Sequence, residues 1–71
     1  MSSAEVMEQV VNEALESLQE TKEGMRAILS ALDKCHVESK KSVPMLGKLM
    51  LARTRLAKVE SNILELRELL K

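Results

Sequence analysis

Apolar residues recur along the chain at alternating steps of four and three, and one polar stretch interrupts the pattern. In the first half this line runs from Met7 to Cys35, and in the second half from Met45 to Leu70. Such spacing is typical of helices that pack along one line, as in coiled coils. No segment alternates apolar and polar residues with a period of two. The pattern therefore predicts an all-α fold of two long helices.

Local signals set the predicted boundaries within a single domain, 1–71. Ser2 and Glu5 have the spacing of a capping box, and Pro44 suits the first turn of a new helix. We predict a helix over about 3–36, a connection over about 37–43 and a helix over about 44–70. The two helices then form an antiparallel, coiled-coil-like hairpin. The predicted seam between them consists of Val11, Leu18, Met25, Ile28, Leu32, Leu49, Leu56, Val59, Ile63 and Leu66.

The second predicted helix carries more apolar residues than one seam needs. Met50, Ala57 and Leu64 repeat every seven residues on a flank outside the seam. The same helix is basic over 40–58. The predicted partner-binding residues are Leu46, Met50, Ala57, Leu64, Lys48, Arg53 and Arg55. A broad intramolecular face and a solvated basic face remain the alternatives for these residues.

The composition predicts a chain that associates with another protein chain or with itself. It has 71 residues and no Phe, Tyr or Trp, so its core is small and a partner chain or self-association is expected to complete it. Residues 1–35 have a net charge of −4 and residues 36–71 a net charge of +4. The basic run is not neutralised within the hairpin, which favours a helical, acidic protein partner. A hetero-oligomer and a homodimer both remain open.

The sequence offers no constellation for catalysis, so we expect no enzymatic activity, no cofactor and no metal. Cys35 and His36 are the single cysteine and histidine, and on a helix they point about 100° apart. Cys35 lies on the apolar line, which predicts a buried thiol. Without an aromatic residue for base stacking, nucleic acid is the less favoured partner. The single cysteine, with no signal peptide and no span of about 20 apolar residues, predicts a cytoplasmic protein without a membrane span.

The layout resembles the small two-helix co-chaperones of type III secretion needle subunits, the E-type component. The matching features are LSALDKC at the end of the first helix, a polar connection, the Pro-opened second helix and ARTRLAKVE within it. The resemblance implies a hairpin that pairs with a larger helical-repeat chaperone and keeps a needle subunit soluble before export. It also implies that Ala52, Leu56, Val59 and Ile63 lie in the hairpin seam.

A second resemblance, carried by KLMLARTRLAKV, is to snapin-like subunits of lysosome-related organelle complexes. It implies a permanent subunit of a multi-protein coiled-coil scaffold. Three hypotheses therefore remain: a co-chaperone as the first, a scaffold subunit as the second, and a nucleic-acid-binding regulator as the third.

Overall fold

The computed structural model describes residues 2–71 and contains two α-helices. These are α1 (Ser3–Lys34) and α2 (Ser39–Leu69), and no strand occurs within residues 2–71. The helices pack against each other in a rod of 54 × 16 × 11 Å, the length expected for about 32 residues rising 1.5 Å each. The predicted all-α helical hairpin is confirmed.

The ends of α1 lie close to the predicted positions. The Ser2 hydroxyl accepts a hydrogen bond from the Glu5 backbone N–H at 3.2 Å, which caps the first turn. At the other end, the Cys35 N–H donates to the Ala31 carbonyl at 2.8 Å, and the helix ends at Lys34. Both ends of α1 therefore satisfy backbone groups that the helix itself leaves without partners.

The prediction that the second helix begins at Pro44 is wrong, because α2 begins at Ser39. The Glu38 carbonyl accepts hydrogen bonds from the N–H groups of Lys41 and Ser42, both at 2.8 Å, and these bonds form an additional first turn. The connection is therefore Cys35–Glu38, four residues instead of about seven.

The additional turn places Pro44 inside α2, where its missing N–H leaves the Lys40 carbonyl without its usual helical donor. The additional turn lies beside the end of α1. Ser42 and Val43 border a groove with Leu29 and Leu32, in which Ser42 is half-buried and Val43 stays 66% exposed.

The centre of the seam follows one heptad line in each helix. Val11, Met25 and Leu49 are the buried residues, each at most 9% exposed. The other predicted seam residues that face the opposite helix are half-buried, namely Leu18, Leu32, Leu56 and Ile63. With three buried side chains among residues 2–71, the core is small.

Three predicted seam residues are exposed instead. Ile28, Val59 and Leu66 are 49%, 46% and 52% exposed, so their assignment to the seam is wrong. In each case the residue one position later turns further inward: Leu29 is 38% exposed, while Glu60 and Arg67 are half-buried. Met25 and Leu49 stay central, so each helix is rotated relative to the prediction by only a fraction of the roughly 100° between successive residues.

An ion pair lies on the side of the seam that turns inward. The Lys22 ammonium of α1 contacts the Glu60 carboxylate of α2, and both side chains are about two-thirds covered. Their aliphatic stems lie over the apolar centre of the seam, as long charged side chains commonly do. Turning these stems inward turns the more apolar neighbouring line, which includes Val59, outward.

Candidate partner-binding surfaces

The seam has two sides, and the side chains on each are different. One groove lies on each side of the seam, and Met25 and Leu56 line both grooves, so these two residues separate the two sides. On one side the groove also contains Lys22 and Arg53. On the other side it contains Val59 and other residues of the line that faces outward.

The first groove is basic with an apolar floor, and we call it the basic groove. It is lined by Lys22, Met25, Arg26, Arg53, Leu56 and Ala57 and has a volume of about 230 Å³. Within residues 2–71 the ion pairs are Lys22–Glu60 and Lys71–Glu68. Arg26 and Arg53 therefore have no carboxylate partner in the described chain. Guanidinium groups in this state suit paired hydrogen bonds to a carboxylate from another molecule.

Beside the basic groove runs an apolar line on the outside of α2, which we call the outer flank: Val43, Met50, Ala57 and Leu64. Val43, Met50 and Leu64 are 66%, 60% and 37% exposed. Ala57 also lines the basic groove, so the two surfaces are continuous. Together they form one strip with an apolar ridge and a cationic edge.

The opposite side of the seam carries a broader apolar surface, which we call the open face. It consists of Met7, Ala14, Thr21 and Ile28 from α1, Cys35 directly after α1, and Met45, Ala52, Val59 and Leu66 from α2. The large members are about half exposed. Because the two lines lie on the same side of an antiparallel pair, they form one continuous face.

The predicted partner-binding residues are divided between these surfaces. Leu46, Met50, Ala57, Leu64 and Arg53 lie on the side of the basic groove and outer flank. Lys48 and Arg55 instead border the open face with Val59. The structure does not bring the seven residues into one site, since α2 exposes apolar and basic residues on both sides.

Arg26 and the Lys22–Glu60 pair are functional candidates that the sequence reasoning missed. Their signal is present, because Lys22 and Glu60 fall one position after the apolar lines at Thr21 and Val59. A search for opposite charges at matching levels of the two helices would have found them.

Cys35 is exposed at the end of α1, so the predicted buried thiol is wrong. It lies on the line that is turned outward. Among residues 2–71, no group of three or more His, Cys, Asp or Glu side chains is placed to hold a metal ion.

No protein-family model, curated protein or solved structure matches the chain. In the described part of the chain, neither helix is both long and apolar enough to cross a membrane.

Proposed function

We propose that the chain is a non-catalytic protein-binding module that holds an acidic helix of another protein on its outer flank and basic groove. One observation carries the proposal. The exposed apolar line of Met50, Ala57 and Leu64 runs directly beside Arg26 and Arg53, which have no carboxylate partner. An apolar ridge with unpaired guanidinium groups along its edge is complementary to an amphipathic helix with acidic residues at the border of its apolar face.

The geometry favours a helix as the ligand. Residues seven apart on α2 are separated by about 10 Å along its axis, the same repeat that a partner helix offers. Helix-in-groove binding uses anchors at spacings of three, four and seven residues. Apolar anchors from such a helix can bury Met50 and Leu64 while its carboxylates reach Arg26 or Arg53.

The co-chaperone function is the finer form of this proposal. In it, the acidic helix belongs to a larger helical chaperone, and the pair keeps a needle subunit of a type III secretion system soluble. A permanent subunit of a coiled-coil scaffold is the alternative. The apolar residues of α2 lie on several sides of the helix, and a helix that is apolar all round is usually buried by neighbours. This distribution supports both forms.

Variants of the outer flank test the proposal. The tagged chain is used to capture its partner from native lysate, and the affinity of the purified partner is then measured. Met50→Glu with Leu64→Glu should weaken binding about a hundredfold, because two apolar anchors worth roughly 1–1.5 kcal/mol each at their exposed fractions are lost. Leu51→Glu is the matched control, since Leu51 is an exposed leucine of α2 on the other side.

Arg53→Glu tests the electrostatic part. It should lower the association rate and reduce its dependence on salt, because exposed charges are screened over about 10 Å at 0.1 M. Unchanged affinity in the double variant would contradict the proposal. Binding of a third chain, the client, by the intact pair and its later release would favour a co-chaperone, and a complex of constant composition would favour a scaffold subunit.

A further inference from the structure

The hairpin as a whole exposes more surface than a compact folded chain of its mass usually does. The chain exposes 5836 Å² and has a mass of 8.0 kDa. A compact monomer of that mass exposes about 4,400 Å². The excess of roughly 1,400 Å² is larger than the roughly 800 Å² per partner that a stable interface buries. The hairpin thus has enough spare surface for a full dimer interface.

We infer that a second copy of this chain covers the open face and forms a twofold-symmetric four-helix bundle. Twofold dimers are the commonest closed assemblies, and hairpins of this type pair readily into bundles. The open face lies across the seam from the outer flank and basic groove. The inference therefore goes beyond the proposed function and does not depend on it.

Charge selects how the two copies are joined. Helix α1 has seven acidic and three basic residues, a net charge of −4, and α2 has three acidic and seven basic residues, a net charge of +4. A twofold axis parallel to the helices places each α1 against α2 of the second copy. An axis across the helices places α1 against α1 and α2 against α2. Only the first arrangement pairs opposite charges.

The residues of the open face alternate in size, which suits interdigitation. Thr21 and Val59 border one groove, so they lie at the same level of the hairpin. Because the helices are antiparallel, seven residues later in α1 lies level with seven residues earlier in α2. The open face therefore has layers of Ala14 with Leu66, Thr21 with Val59, and Ile28 with Ala52. The outer two layers each combine a small and a large side chain, while Thr21 and Val59 are similar in size, and two copies can fill each other's gaps in the outer layers. The Thr21 hydroxyl already donates to the Ser17 carbonyl at 3.0 Å, so Thr21 can bury its methyl group without an unpaired donor.

The rims of the open face meet in defined pairs, most of which are complementary. A twofold axis along the bundle keeps levels unchanged, so the α1 rim meets the α2 rim of the second copy. The opposed pairs are Val10 with Leu69, Glu20 with Lys58, Gly24 with Arg55, and Ala27 with Leu51, while Glu13 with Glu65 is one like-charge pair near the open end. No atom of the hairpin lies within 4 Å of the position that a Cβ at Gly24 would take. The space above Gly24 is available for the long side chain of Arg55 of the second copy.

The first test is the mass of the chain in solution, measured by sedimentation equilibrium from low to high micromolar concentration. We expect twice the chain mass of 8.0 kDa. Val59→Glu should weaken self-association about a hundredfold, because it places a charge in the bundle core. Met50→Glu is the matched control, because Met50 is also an exposed apolar residue of α2 but lies on the other side of the seam. It should leave the dimer intact.

The second test identifies the orientation without disturbing apolar packing. Glu20→Lys and Lys58→Glu should each weaken the dimer about two- to fivefold at low salt, as expected for an exposed ion pair. The double variant should restore wild-type association, because each swapped residue meets its swapped counterpart in the second copy. Within one hairpin, Glu20 and Lys58 lie on opposite rims and do not meet. If Val59→Glu also lowers helicity, this rescue decides the result.

A chain that sediments at 8.0 kDa throughout, or a double variant no better than its single variants, would overturn the inference. The same holds if Met50→Glu dissociates the chain as strongly as Val59→Glu. Failure here is distinguishable from failure of the proposed function. If the chain is a monomer but its affinity for the partner still depends on Met50 and Leu64, the proposed function stands and the dimer inference fails. If the chain is a dimer but its affinity for the partner does not depend on these residues, the dimer inference stands and the proposed function fails.

Discussion

Replacing Leu49 by alanine tests whether the seam holds the hairpin together. Leu49 is the most buried residue of α2, at 8% exposed. Removing a buried leucine side chain costs about 2–5 kcal/mol. The core here is one layer thick and can collapse around the gap, so we expect the lower end, about 2–3 kcal/mol. A chain of this length has a total stability of roughly 4–10 kcal/mol, so the loss is a large fraction.

The assay is urea unfolding followed by circular dichroism, at one fixed protein concentration because self-association adds to apparent stability. With a denaturant dependence of about 1 kcal/mol per molar urea, the midpoint of Leu49→Ala should fall by about 2 M. Met50→Ala is the control. Met50 is 60% exposed and lies outside both the seam and the open face, so its truncation should cost about 1 kcal/mol or less. Equal losses for the two variants would refute the seam described here.

Two further predictions concern the helix ends and use the same unfolding assay. Ser2→Ala should lower stability by about 1 kcal/mol, because it removes the acceptor for the Glu5 N–H, whereas Ser3→Ala leaves the cap in place. Pro44→Ala should raise stability by about 1–3 kcal/mol, because alanine supplies the N–H that the Lys40 carbonyl lacks; an unchanged or lower midpoint would show that the proline ring contributes packing of its own.

The sequence predicts the number, type and pairing of the helices because the heptad pattern persists over nearly the whole chain. The central seam residues, such as Met25 and Leu49, are also predicted correctly. The start of α2 is not, because the preference of Pro44 for a first turn is overridden by the hydrogen bonds that the Glu38 carbonyl accepts from Lys41 and Ser42.

The apolar pattern also does not predict which side of each helix packs into the seam. Each helix has two lines of residues flanking its central line, and the apolar content of α2 favours burial of the line of Val59 over that of Glu60. In the hairpin the line of Glu60 nevertheless turns inward, where Glu60 contacts Lys22, and Val59 stays 46% exposed. The rotation of the helices also decides which surface each basic residue borders. Lys48 and Arg55 border the open face, and Arg53 borders the basic groove.

The four-residue connection determines the order in which the hairpin can close. Leu32 and Ser42 share a groove and are only ten residues apart in the chain, whereas Lys22 and Glu60 are 38 apart. The entropy lost on closing a loop grows with its length, by about 0.6 kcal/mol for each doubling. Contacts beside the connection are therefore the first that a folding chain can form. The remaining contacts between the helices then form in order of their distance from the connection. In kinetic terms, changes near the connection should slow folding, and changes near the termini should mainly speed unfolding.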